Sequence, residues 1–258
     1  MIPYPNISPI ALTLGPVKIH WYGIMYLATF TIAYFLIPIF FKEKKLPINK
    51  DTVSDLLLIS LIGVVLGGRL GYILFYQLPF YLGHPLDMLK IWEGGLSFHG
   101  GMLGVILGFA LFARKNKIKL YGLSDAIIPI VPIGIFLVRI GNFINAELYG
   151  RITNSSICMR FPTDPSNCRY PSQLIEAALE GVVIFFILFS LRKKIRTPGI
   201  LSWLFIGLYG LLRFCAEFFR EPDIQIGYLA GNLTEGQYFS VCMIIASIIG
   251  IYFTKKRR

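Results

Sequence analysis

Ser172-Gln-Leu-Ile-Glu-Ala-Ala-Leu-Glu-Gly-Val-Val-Ile-Phe-Phe-Ile-Leu-Phe-Ser-Leu191, followed directly by Arg192-Lys-Lys-Ile-Arg196, is the stretch on which the fold turns. About 20 mostly apolar residues of helix reach across a hydrocarbon core of roughly 30 Å, and this segment has that length. The basic cluster behind it marks an end that stays in the cytoplasm. The arrangement recurs along the chain. Apolar stretches at His20–Phe41, Val53–Tyr76, Leu96–Ala113, Ser124–Asn142, Gly199–Arg220 and Gly236–Phe253 bring the expected helices to seven. Basic clusters follow the first (Lys42, Lys44, Lys45, Lys50), the third (Arg114, Lys115, Lys117, Lys119) and the last (Lys255, Lys256, Arg257, Arg258).

The expected fold class is therefore all-α: a polytopic integral membrane protein, one domain over residues 1–258, with the N-terminus outside and the C-terminus in the cytoplasm. A content of 55% hydrophobic and 15% charged residues is too oily for an ordinary soluble domain. Opposite loops agree, since Glu221–Glu235 has no Lys or Arg and Gln77–Gly95 has only Lys90. On this topology Lys44 and Lys117 face the cytoplasm, and Asn154 and Asn232 face outward. The net charge of +11 reads as an orientation signal, because it is divided among juxtamembrane clusters rather than gathered in a groove; nucleic acid is not an expected partner. Strict alternation of lipid-facing strands, the mark of a barrel, is absent from the sequence. With no positive n-region ahead of the first apolar segment, the mature chain is expected to start at Met1.

The longest connection, Ala146–Pro171, contains Pro162, Asp164-Pro165 and Asn167, which favour turns, and is expected to form a small outward-facing head. It also holds Cys158 and Cys168, which in an oxidising compartment can pair or stay free. Cys215 and Cys242 fall inside helices and read as small packing residues. Three sequons, at Asn6, Asn154 and Asn232, are too short a pattern to carry a role.

With the helices so oriented, polar residues collect toward the outer side. Tyr22, Arg69, His99, Arg139, Asn142, Glu176, Arg213, Glu217 and Arg220 all fall in outer halves or at outer ends, on a rise of about 1.5 Å per residue. Charges at that depth call for pairing, a wet cavity or an anionic ligand. Two readings fit Arg220, a ligand contact or snorkelling to headgroups. Tyr209, Arg213 and Glu217 follow an i, i+4, i+8 spacing on one helix face. There the carboxylate either makes a structural pair or positions the guanidinium for a substrate. Glycines crowd the same places, at Gly67, Gly68 and Gly71 and around His99. His99 can accept a proton near neutral pH or serve as a hydrogen-bonding residue at a helix end. Three scattered histidines give no metal-ligand spacing, and neither a metal nor a cofactor is expected.

The stretch Val138-Arg-Ile-Gly-Asn-Phe-Ile-Asn-Ala-Glu-Leu-Tyr-Gly-Arg151 closely resembles the signature of the bacterial prolipoprotein diacylglyceryl transferases. His20-Trp-Tyr-Gly-Ile-Met-Tyr26, Gly67-Gly-Arg-Leu-Gly-Tyr72, Gly94-Gly-Leu-Ser-Phe-His-Gly-Gly101, and Arg213–Arg220 followed by Glu-Pro-Asp resemble further blocks of that family, in the same order. Tyr170-Pro-Ser-Gln-Leu-Ile-Glu176 departs from it, where many relatives have His first and Tyr sixth.

The resemblance implies an enzyme of the bacterial cytoplasmic membrane. It would move the sn-1,2-diacylglyceryl group of phosphatidylglycerol to the lipobox cysteine of a preprolipoprotein, leaving a thioether and sn-glycerol 1-phosphate. It carries importance onto Tyr22, His99, Arg139, Asn142, Glu147, Gly150, Tyr209, Arg213 and Glu217. The chemistry needs a base for the thiol and a clamp for a leaving phosphate. His99 is the expected base, and Arg139 and Arg213 the expected clamp, with Arg69 and Arg220 as further substrate contacts. Tyr22, Asn142 and Tyr209 would orient substrate, Glu147 and Glu217 would position arginines, and Gly150 would be a backbone constraint. Rival readings are a transporter or flippase of anionic lipid, which favours polar groups along a whole path, and a serine hydrolase built on Ser97.

Overall fold

The computed structural model describes residues 1–47, 49–222, 227–229, 231 and 233–256. The expectations placed on Asp223, Asn232, Arg257, Arg258 and the Lys50 side chain lie outside the described residues.

Helix follows the apolar stretches closely. The long helices are α1 (Trp21–Glu43), α2 (Lys50–Tyr76), α3 (Phe98–Lys115), α4 (Leu120–Ile144, with a 3₁₀ turn at Ile128–Ile130), α5 (Ser172–Leu191), α6 (Ile200–Ala216) and α7 (Glu235–Lys256). Trp21–Glu43, Asp51–Tyr76, Leu120–Ile144, Ser172–Leu191 and Glu235–Lys256 are long and apolar enough to cross a membrane. The chain is thus mostly helical, consistent with a polytopic membrane protein. α6 is apolar but shorter.

Among the described residues, strands occur only as two antiparallel hairpins, which the sequence reading did not anticipate. β1 (Ile10–Leu14) pairs with β2 (Val17–His20), and β3 (Met159–Phe161) with β4 (Asp164–Arg169). Strands of three to six residues are too short to show alternation. Gly15, at φ 58°, supplies the left-handed turn of the first.

Two compact units are described, Tyr34–Leu123 and a second made of Met1–Ala33 with Ser124–Arg258. In the first, α2 lies against α3 through glycines. A Cβ on Gly67 would meet the Gly100 carbonyl and come within 2.9 Å of the Gly104 Cα; one on Gly71 would come within 2.7 Å of the Gly100 Cα. In lipid the hydrophobic effect drives helix association weakly, so this backbone-on-backbone packing holds the pair. Ser97 caps α3 by accepting from the Gly100 amide at 3.3 Å, which gives its hydroxyl a structural task.

In the second unit, Asp125 of α4 caps α6 from outside that helix. Its carboxylate accepts from the Gly199 amide at 2.7 Å, the Ser202 amide at 2.9 Å and the Ser202 hydroxyl at 2.7 Å. Ile184, Leu188 and Leu201 form a buried cluster that joins α5 to α6. The connection Ala146–Pro171 encloses Phe161 with Phe143, Ala146 and Met159, and Tyr4 packs against this cluster. Cys158 and Cys168 form a disulfide with Cα atoms 5.4 Å apart. Cys215 and Cys242 do lie in helices, but both are free and exposed rather than packed. A helix side turned to lipid and one turned to a neighbour have the same apolar composition, so sequence does not separate them.

Candidate active site

Buried Glu176, Glu180, Arg213 and Glu217 meet where α4, α5 and the end of α6 converge. α5 carries Glu176 and Glu180 one turn apart, on and beside a π-helical turn at Ala177–Val183, so the two carboxyls share a side. Gly181, one residue on, lets α4 approach closely, since a Cβ there would be 2.6 Å from that of Phe136. That approach brings Arg139, one turn beyond Phe136, onto the acids.

Arg139 Nη2 lies 2.6 Å from Glu176 Oε2 and 3.8 Å from Glu180 Oε2. Arg213 Nη1 donates to the same Glu176 oxygen at 2.7 Å and to Glu180 Oε1 at 3.3 Å. Arg213 Nη2 donates to Glu217 Oε1, as does Arg220 Nη1 at 3.3 Å, and the Thr234 hydroxyl donates to Glu217 Oε2 at 3.0 Å. Three guanidinium groups thus face three carboxylates. Glu176 and Glu180 are wholly buried, whereas the Arg139 and Arg213 side chains retain 17% and 11% exposure. The acids are the back wall and the arginines the accessible face.

Glu217 and Arg220 sit just past the end of α6, which stops at Ala216 rather than continuing to Arg220. Their turn is held from a distance. Arg151 donates through Nε to the Arg220 carbonyl at 2.8 Å and through Nη2 to the Glu217 carbonyl at 3.1 Å. Gly150 pairs with Arg220 in a bridge, and its amide donates to the Tyr170 carbonyl at 2.8 Å. A Cβ on Gly150 would collide with the Phe219 carbonyl and sit 2.8 Å from that of Tyr170. Here glycine is required by close backbone approach.

Asn142 is buried at the end of α4. Beyond it, Ala146 (φ 51°) and Leu148 (φ 54°) adopt the left-handed conformation and turn Glu147 back, so that Asn142 Nδ2 donates to Glu147 Oε1 at 2.7 Å. Asn145 Nδ2 donates to the same oxygen at 3.4 Å. Glu147 is therefore engaged by amides, and Gln173 Nε2 donates to its carbonyl at 2.6 Å. Tyr22 lays its ring against Gly141, whose added Cβ would be 2.8 Å from Tyr22 Cδ2. Tyr209 lies one turn before Arg213 and packs near Phe205, ring centres 5.9 Å apart.

Arg69 and His99 belong to the other unit. Arg69 is buried and spends its donors on backbone: Nε on the Met88 carbonyl at 3.0 Å, Nη1 on Gly94 at 2.6 Å, and Nη2 on Asp87 at 2.6 Å. Its guanidinium also lies over the Tyr81 ring. His99 is exposed on the first turn of α3, edge-on to Phe98.

Sequence reading grouped Glu176 with Arg139 and Arg213, which it does meet, but gave it no role, and it missed Glu180, Arg151 and Thr234. A signal for the acids was present. Carboxylates one turn apart in an otherwise apolar helix need cations, and Arg139 and Arg213 were the cations at that depth.

The sequence profile of the family described as prolipoprotein diacylglyceryl transferase matches residues 9–253. The chain belongs to this family. The phosphatidylglycerol–prolipoprotein diacylglyceryl transferase of Geobacter sulfurreducens is 46% identical over 255 residues, covering 99% of this chain and 98% of its own. The protein of the same name from Francisella tularensis subsp. mediasiatica is 48% identical over 262 residues, covering 100% and 98%. As a diacylglyceryl transferase family member with relatives of this similarity along its whole length, the chain is an enzyme.

Proposed function

We propose that this chain transfers the sn-1,2-diacylglyceryl group of phosphatidylglycerol to the lipobox cysteine of a preprolipoprotein. The carrying observation is the near-complete coverage by relatives that bear this activity in their names. The buried arginine cluster supports it, because a lipid phosphate is the kind of anion such a cluster receives.

Its place is the bacterial cytoplasmic membrane, as one domain of seven spanning helices, α3 and α6 included. The N-terminus and the Ala146–Pro171 head face outward, and the basic clusters hold the other ends in the cytoplasm. The disulfide in that head fits an oxidising compartment.

In the reaction the cysteine thiol gives its proton to His99, and the thiolate sulfur attacks the carbon of the diacylglyceryl group that bears the phosphate. The carbon–oxygen bond breaks, its electron pair stays on the phosphate oxygen, and sn-glycerol 1-phosphate leaves. Arg139 and Arg213 stabilise the charge growing on that phosphate, and Arg220 adds a further contact. Glu176 and Glu217 hold the forks in place, Gly150 and Arg151 fix the turn that carries Glu217 and Arg220, and Tyr22, Asn142 and Tyr209 orient the lipid.

The test is incubation of the purified protein with labelled phosphatidylglycerol and a lipobox peptide. The expected products are a thioether-linked diacylglyceryl peptide and glycerol phosphate; an unmodified peptide beside intact lipid rejects the proposal.

A further inference from the structure

Charge counting in the cluster raises a problem that a phosphate makes acute. Arg139, Arg213 and Arg220 balance Glu176, Glu180 and Glu217 when all are ionised. An arriving phosphodiester adds one negative charge to a site whose acids are buried, and an uncompensated charge there is costly. One carboxylate must give way.

The three are held unequally. Glu217 accepts from Arg213, Arg220 and Thr234. Glu176 Oε2 takes both central arginines, at 2.6 and 2.7 Å. Glu180 has the weakest hold, 3.3 Å to Arg213 and 3.8 Å to Arg139. Its Oε2, fully buried, has no hydrogen-bond partner among the described residues. The charged or titratable groups facing it are Glu176 on its own helix, Arg139 from α4, and Tyr209 and Arg213 from α6, the last also paired to Glu217.

We propose that Glu180 is the carboxyl that carries a proton while the lipid phosphate is bound, so that headgroup binding is coupled to proton uptake at this side chain. This rests on the reading above in which Arg139 and Arg213 receive the phosphate. Protonation restores the charge balance and turns an acceptor that lacks a hydrogen bond into a donor. It also frees the arginines to exchange a carboxylate for a phosphate without leaving the site negative. Glu180 makes no bond to the reacting atoms in this scheme; it is a positioning residue that sets the charge of the clamp.

The experiment is calorimetric titration of the full-length protein in detergent with phosphatidylglycerol micelles, without peptide, from about pH 6 to about pH 9, in buffers of different ionisation enthalpy. The phosphodiester stays ionised across this range, so protons taken up belong to the protein. The parent is expected to take up protons on binding and to lose affinity as pH rises, approaching tenfold per unit. Glu180→Gln is expected to lose that uptake and slope, binding at least about tenfold more tightly than the parent at the alkaline end. Uptake that persists undiminished in Glu180→Gln, or a parent that binds lipid with none, overturns the inference while leaving the transferase reading intact. Failure of the parent to bind phosphatidylglycerol removes the substrate reading and this inference with it. If Glu180→Gln does not insert, Glu180→Ala supplies the same comparison.

Discussion

Arg69 and Arg213 are both buried arginines on apolar helices, 5% and 9% exposed, and they are accommodated in opposite ways. Arg69 donates hydrogen bonds to the carbonyls of Asp87, Met88 and Gly94. Arg213 donates hydrogen bonds to the carboxylates of Glu176, Glu180 and Glu217. Carbonyls satisfy donors without cancelling charge, and they belong to a backbone that must move if they are replaced. Carboxylates cancel the charge, and a phosphate offers the same sign of charge and likewise a pair of acceptor oxygens to an arginine fork. Arg69 is thus a clasp on the segment Asp87–Gly95, while Arg213 and Arg139 can trade one anionic partner for another.

The comparison breaks most visibly at Arg213. Arg213→Met strands carboxylates in the interior, and removing one partner of a buried pair costs about 3–5 kcal/mol, so poor accumulation and no detectable turnover are expected. A variant that accumulates and turns over normally would show that the acids do not depend on this cation.

Arg139→Lys comes next. The charge remains and the planar fork is lost, so the protein is expected to insert normally and turn over about a hundredfold more slowly in a detergent assay. Near-parent turnover with unchanged expression reduces Arg139 to a structural residue.

At Arg69 the same change tests the clasp. Arg69→Lys keeps the charge but cannot reach several carbonyls at once, at a cost of about 2 kcal/mol. Amide exchange in Asp87–Gly95 should then quicken by about thirtyfold, with less change in α2 itself. Exchange identical to the parent would mean that something else holds the segment.

The smallest expected effect is at His99. For His99→Gln, the single-turnover rate relative to the parent should be about tenfold down at neutral pH and recover as pH passes roughly 8.5, where cysteine becomes thiolate unaided. A ratio that stays flat across pH makes His99 a hydrogen-bonding residue, and the proton then leaves by another route.

Sequence alone determined the helices, their approximate ends and the family, because each rests on local composition or an ordered motif. Length and apolarity placed α1, α2, α4, α5 and α7, whereas the glycines around Arg69 and His99 were legible only as a crowd, and their use in packing α2 on α3 came from the fold. Tertiary structure alone decided what each buried charge touches. Arg69 and Arg213 look alike in sequence, an arginine amid leucine and glycine. Only folding reveals that one meets backbone carbonyls some twenty residues on and the other meets acids on a different helix. Glu180 stayed silent for the same reason. Its pairing with Arg139 and Arg213 depends on the approach that Gly181 permits and on the crossing of three helices, and partners set by packing leave no periodic trace in the chain.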